Sequence, residues 1–255
     1  MRTPVIAGNW KCHTRLEGAR SLAAGLRERI DGVDGVEKVV CPPFVYLAAV
    51  GEALAGSSIK LGSQDVHWQD DVAATGEVGP QMVRELAEYC IVGHSERRHQ
   101  FGETDEMVNR KLKAALAAGL RPIMCVGEKL EEREAGLTEQ VLTWQTRSGL
   151  DGADVPPGFI IAYEPVWAIG TGNAATAADA VAAVAIVRRQ VASLFGAALA
   201  EGVRILYGGS VTAENTAELM AQDGVDGALV GGASLKVDAF SAIVAEAARV
   251  KAVRR

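Results

Sequence analysis

Glu164 directly follows the apolar run Ile160-Ile161-Ala162-Tyr163, where a carboxylate must be held against a desolvation cost. Two nitrogen groups occupy comparable places. Lys11 comes shortly after the run that opens at Pro4, just past Asn9, and His94 opens His94-Ser95-Glu96-Arg97-Arg98 behind Cys90-Gly93. Two glycine turns complete the set: Gly208-Gly209-Ser210 after Val203-Tyr207, and Gly231-Gly232-Ala233-Ser234 after Ala228-Val230. Taken singly, these residues have ordinary uses as a solvated lysine, a packed histidine and simple turns. Taken together they supply a base, an ammonium, an imidazole and exposed backbone N–H groups. Removing a proton next to a carbonyl needs a base on carbon and donors on the oxygen that becomes negative. The glycine turns, with a short helix opening after Gly232, would cradle a phosphate. Cys12, Cys41, Cys90 and Cys125 lie far apart without paired metal spacing, so no metal and no cofactor are expected. The chemistry implied is metal-free proton transfer on a small phosphorylated carbonyl compound.

These residues must be positioned by the elements that precede them. Short apolar runs recur at Pro4-Ala7, Lys38-Cys41, Ile59-Gly62, Cys90-Gly93, Arg121-Val126, Phe159-Tyr163, Val203-Tyr207 and Ala228-Val230. They are nearly all apolar rather than alternating, which suits parallel strands covered on both faces. Helical patterns lie between them. Thr176-Ala177-Ala178-Asp179 reads as a capping box, with Val181, Val184, Val191 and Leu194 along one face of the helix it opens. A second helix spans Asp105 to Ala118 and stops at Gly119. Eight such units predict an α/β fold, a (β/α)8 barrel of eight parallel strands with surrounding helices, as one domain over residues 1–255. An open doubly wound sheet is the rival, but Gly8-Asn9-Trp10-Lys11 lacks its glycine fingerprint. In a barrel the strand ends named above share one face.

The 255 residues carry 49% hydrophobic and 23% charged side chains, an ordinary globular balance. The net charge of -6 argues against a nucleic-acid or anionic-membrane partner. The run from Ala174 to Leu199 is broken by Asp179, Arg188, Arg189 and Gln190, so no membrane span is expected. The start is too short an apolar run for a secretory signal, and three cysteines end strand-like runs as buried reduced thiols, so a cytoplasmic protein is expected.

Ala7-Gly8-Asn9-Trp10-Lys11, Gly93 to Arg98, Ala162 to Gly172, Tyr207 to Val211 and Gly231 to Leu235 together resemble the triosephosphate isomerases, in order along nearly the whole chain. The resemblance implies a TIM barrel that interconverts dihydroxyacetone phosphate and D-glyceraldehyde 3-phosphate through an enediolate. Glu164 would shuttle the proton, His94 would act as a neutral imidazole, and Lys11 would supply positive charge. Asn9 would orient the substrate, Ser95 and Glu96 would support the site, and Gly170, Ser210, Gly231 and Gly232 would bind the phosphate. The resemblance also implies a lid over Pro165 to Thr171 that excludes water, with Ile169 pressing on Glu164. It further implies a homodimer made through the loop opened by Gln64 and Asp65 and tipped by Thr75-Gly76-Glu77. Asn173, His13 and Asp65 depart from residues frequent in that family, with Cys12 beside the expected contact. Two alternatives stay open: an isomerase of longer sugar phosphates, and a barrel that binds without catalysis.

Overall fold

The computed structural model describes residues 2–169 and 175–253. Its strands are β1 (Val5–Asn9), β2 (Glu37–Cys41), β3 (Lys60–Ser63), β4 (Tyr89–Val92), β5 (Arg121–Val126), β6 (Ile160–Tyr163), β7 (Arg204–Tyr207) and β8 (Gly227–Val230). They run parallel, pair in sequence order and close into a barrel. The expected (β/α)8 architecture is thus present. Around it lie α1 (Leu16–Ile30), α2 (Leu47–Leu54), α3 (Pro80–Leu86), α4 (Ser95–Gln100), α5 (Asp105–Ala117), α6 (Leu130–Glu134), α7 (Thr138–Leu150), α8 (Ala177–Phe195), α9 (Ala197–Gly202), α10 (Ala213–Met220) and α11 (Val237–Val253). Among the described residues no helix is long and apolar enough to cross a membrane.

The strands are apolar on both faces because each face has its own core. Val5, Val39, Ile91, Ile123, Ala162 and Leu206 point inward and fill the barrel. Ile6, Val40, Val92, Met124 and Ile161 point outward against helix residues such as Leu26, Leu112 and Val187. At the floor of the barrel Glu37 closes the interior between Arg121 (2.7 Å) and Arg204 (2.5 Å).

The helix signals operate as read, with one adjustment. Thr176 Oγ1 accepts the Asp179 N–H at 3.1 Å while Asp179 Oδ2 accepts the Thr176 N–H at 2.9 Å, completing the capping box of α8. The buried face of α8 is Ala180, Ala183, Val184, Val187 and Val191, whereas the expected Val181 and Leu194 are only part-buried. Alanines let the helix approach the strands closely, so the contact stripe follows small residues as well as large ones. Helix α5 begins under the Thr104 cap and is followed by Gly119 at φ 75°, a left-handed stop.

Closure places β1 against β8, with Val5 opposite Gly227 and Gly8 opposite Val230. Gly227 has φ 145°, and a Cβ there would stand 1.9 Å from the Val5 carbonyl oxygen. Only glycine lets the last strand meet the first. Gly227→Ala is therefore expected to cost about 3 kcal/mol of unfolding free energy or more. Gly32→Ala, whose Cβ meets nothing within 4 Å, should change it by less than about 0.5 kcal/mol. Urea midpoints of the two variants compare them directly.

Candidate active site

Glu164 leaves β6 with its N–H bonded to the Val126 carbonyl at 2.8 Å, so its backbone still belongs to the sheet. Its carboxylate is 2% exposed. Oε2 accepts the Ser95 N–H at 2.9 Å, Oε1 accepts the Ser95 hydroxyl at 3.1 Å, and Oε1 lies 3.0 Å from His94 Nε2. Burial pushes the carboxyl's pKa up, but His94 and the Ser95 donors outweigh it. The net shift is downward, and the group stays charged.

His94 caps α4: its Nδ1 accepts the Glu96 N–H at 3.2 Å. A ring nitrogen that accepts a backbone N–H carries no proton, so the ring hydrogen sits on Nε2 and is donated to Glu164. Burial lowers the imidazole's affinity for a second proton, yet the adjoining Glu164 carboxylate more than reverses this and the net shift is upward. That second proton would have to displace the Glu96 N–H from Nδ1. The bonds present accommodate the neutral ring.

Lys11 sits just beyond β1 at φ 51°, a left-handed conformation uncommon for lysine. Two side chains hold it there. Asn9 Oδ1 accepts the Lys11 N–H at 2.9 Å, and Gln64 Nε2 donates to the Lys11 carbonyl at 2.8 Å and to Cys41 O at 2.9 Å. The ammonium meets Glu96 Oε1 at 2.5 Å. Expected site residues from the first and fourth strand ends are thus in direct contact. Gln64, expected only to open a loop, in addition fixes the backbone of Lys11.

Asn9, Lys11, His94, Glu164, Ser210, Gly231 and Gly232 line one cavity of about 720 Å³, with Ile169 at its edge. Ser234 Oγ donates to the Gly231 carbonyl at 2.7 Å, bracing the turn after β8. The helix expected after Gly232 is a single 3-10 turn, Gly232–Leu235, because Lys236 turns to extended backbone before α11 begins. Ser210 precedes the Thr212-capped α10. The cavity therefore brings a base, an imidazole, an ammonium and two glycine turns around one small volume. Gly170 and Asn173 lie outside the described residues, as does the end of the segment Pro165 to Thr171.

The family profile described as triosephosphate isomerase matches residues 4–247. The chain belongs to the triosephosphate isomerase family. Curated triosephosphate isomerases of Dehalococcoides mccartyi, Moorella thermoacetica and Carboxydothermus hydrogenoformans are 50%, 53% and 52% identical to it. The matches cover 98%, 96% and 96% of this chain and 99%, 98% and 98% of the relatives.

Two departures from frequent triosephosphate isomerase residues acquire a structural meaning. Asp65 does not project from its loop: it is 4% exposed, with its carboxylate on Lys111 Nζ at 2.7 and 2.8 Å and on Arg97 Nε at 2.9 Å. Glu103 joins the same two cations, so two acids and two bases balance in one cluster, buried but for the half-buried Arg97. Cys12 and His13 are both exposed on the single chain. Cys41, Cys90 and Cys125 are buried as expected.

The geometry makes the imidazole's proton affinity depend on where Glu164 sits. With the carboxylate removed, burial, the largest influence, and Lys11 act downward on His94 against Glu96 alone. Glu164→Gln should therefore lower the His94 pKa relative to the parent, read from its ring 15N shifts; an unchanged or higher value would contradict the coupling described.

Proposed function

We propose that Glu164, His94 and Lys11 carry out the interconversion of dihydroxyacetone phosphate and D-glyceraldehyde 3-phosphate, with no metal and no other cofactor. The observation that carries this reading is the convergence of the three groups, from three strand ends, on the cavity bounded by the glycine turns. Family membership supports the substrate and the reaction class.

Substrate enters with its phosphate against the backbone N–H groups of Ser210, Gly231 and Gly232, and Asn9 orients the carbon chain. The Glu164 carboxylate turns from Ser95 and His94 to C1 and takes a proton from it. The C1–H electrons form the C1–C2 double bond, and the carbonyl π electrons move onto O2. His94 Nε2–H and the Lys11 ammonium receive that negative oxygen. Proton exchange between O1 and O2 at His94 prepares the aldehyde. Glu164 then returns its proton to C2 as the C1 carbonyl forms. A neutral imidazole suits this work, because departure of the Glu164 carboxylate toward substrate removes the main influence that raises its proton affinity. Glu96 acts behind the reacting groups by holding Lys11 and the His94 ring.

The reading extends to a homodimer working in the cytoplasm, each chain a single barrel domain. Val45, Met82, Leu86 and Phe101 leave large apolar side chains exposed in the consecutive units after β2, β3 and β4, and Thr75-Gly76-Glu77 in the β3 unit is exposed as well. Exposed apolar groups in one region suit a partner surface of the same kind. Light scattering on the purified chain should return twice the monomer mass, and Met82→Glu should shift it toward the monomer.

Activity is tested by coupled assay of glyceraldehyde 3-phosphate formation, with tetrose and pentose phosphates offered in parallel. Turnover should be confined to the triose. Glu164→Gln should lower kcat by about 10²- to 10⁴-fold with little change in KM. Lys11→Met should raise KM as well as lower kcat. Equal rates for Glu164→Gln and the parent would remove Glu164 as the base.

A further inference from the structure

The end of β5 has an unusual backbone. Odd-numbered residues of β5 face β4, as the bond from Arg121 N–H to Glu88 O at 2.8 Å demonstrates. Even-numbered residues face β6, where Val126 O accepts the Glu164 N–H. The last residue of β4 in register with β5 is Val92, opposite Met124. Beyond that point Cys125 and Gly127 still direct backbone groups toward β4, but the strand that would receive them has left the sheet. Buried backbone groups in that position need partners.

Side chains provide them. Arg98 Nη2 donates to the Cys125 carbonyl at 3.2 Å. Gln145, on α7 and 8% exposed, takes both groups of the next residue: its Oε1 accepts the Gly127 N–H at 2.7 Å and its Nε2 donates to the Gly127 carbonyl at 3.1 Å. One carboxamide therefore does for Gly127 what a neighbouring strand does for an interior residue. On its other side Gly127 is pressed against Glu164. A Cβ on Gly127 would lie 1.7 Å from the Glu164 carbonyl oxygen and 3.2 Å from its Cα. The backbone of the base and the backbone gripped by Gln145 are in contact with nothing between them.

We propose that Gln145 is a positioning residue for the isomerisation: by clamping both backbone groups of Gly127 it fixes the platform against which Glu164 is seated. This rests on the reading of Glu164 as the base. Gln145 is not among the described residues that line the cavity, and β7 and β8, whose turns receive the phosphate, follow β6 round the barrel on the side away from β5. Its effect should fall on the chemical step and leave phosphate binding alone. Displacing reacting groups by even 1 Å can cost about 100-fold in rate.

The test compares Gln145→Met, which keeps the length and loses both bonds, with Gln145→Glu, which keeps the acceptor for the Gly127 N–H and loses the donor. Thr146→Val, at the adjoining buried residue of α7, controls for packing. For each, kcat, KM for the triose phosphate, the inhibition constant of inorganic phosphate and the melting temperature are measured. Gln145→Met should lose about tenfold or more in kcat with KM and the phosphate constant unchanged, Gln145→Glu should lose less, and Thr146→Val should keep parental kcat. Parental kcat in Gln145→Met, with only a lower melting temperature, overturns the proposal. If Gln145→Met does not fold, the same split in Gln145→Glu supports it and parental kcat there overturns it. Glu164→Gln run alongside separates the two readings: if it matches the parent, both fall, and if it is inactive while the Gln145 variants are unimpaired, only the Gln145 assignment falls.

Discussion

A carboxylate at 2% exposure, kept charged, is the constraint around which this molecule is arranged. Water cannot stabilise Glu164, so the protein must do so, with an N–H and a hydroxyl from Ser95 and a ring N–H from His94. Those donors belong to the β4 end and the start of α4, one strand removed from β6. They arrive only if β4, β5 and β6 keep their register, and this makes the geometry of the barrel a condition of the charge state. The same donors must release the carboxylate when a carbon acid is present. Stabilisation by a few directional bonds, rather than by a full ion pair with an arginine, suits that requirement.

Strand ends are where such an arrangement can be built, and where it is hardest to build. A strand that stops leaves backbone groups of its neighbour without a ladder, and each must be answered locally. Gln64 does this for Lys11 and Cys41, Arg98 for Gly93 and Cys125, and Gln145 for Gly127. These side chains do not touch the cavity, yet they decide the backbone on which its groups stand. Charge is handled in the same spirit further out. Asp65 and Glu103 are matched by Lys111 and by the half-buried Arg97 of α4, so the carboxylate at position 65 adds a partner for a cation already present.

How much of this the sequence disclosed follows from what each residue answers to. Strands covered on both faces announce themselves by largely apolar runs, and the polar groups at their far ends, Asn9, His94 and Glu164, stand out for that reason. The barrel and the members of the cavity were legible on that basis. The buried alanines of α8 were not, since a methyl group signals neither exposure nor contact. Gln145 was not, because its task is set by the place where β4 ends relative to β5, a fact of three-dimensional register. The family resemblance put Asp65 at the start of an interface loop, and nothing in the sequence around it announces that its side chain turns inward to Lys111, on a helix 46 residues along the chain.

The pairing of β1 with β8 has a bearing on how the molecule comes into being. Synthesis delivers Val5 to Asn9 more than two hundred residues before Gly227 to Val230. Throughout that interval one side of the earliest strand, hydrophobic on both faces, lacks the neighbour it will finally have, and such an edge is a template for mispairing with other nascent chains. The ring can be sealed only after β8 has been made. Until then the sheet keeps an open edge at β1, the place where a wrong pairing would be made.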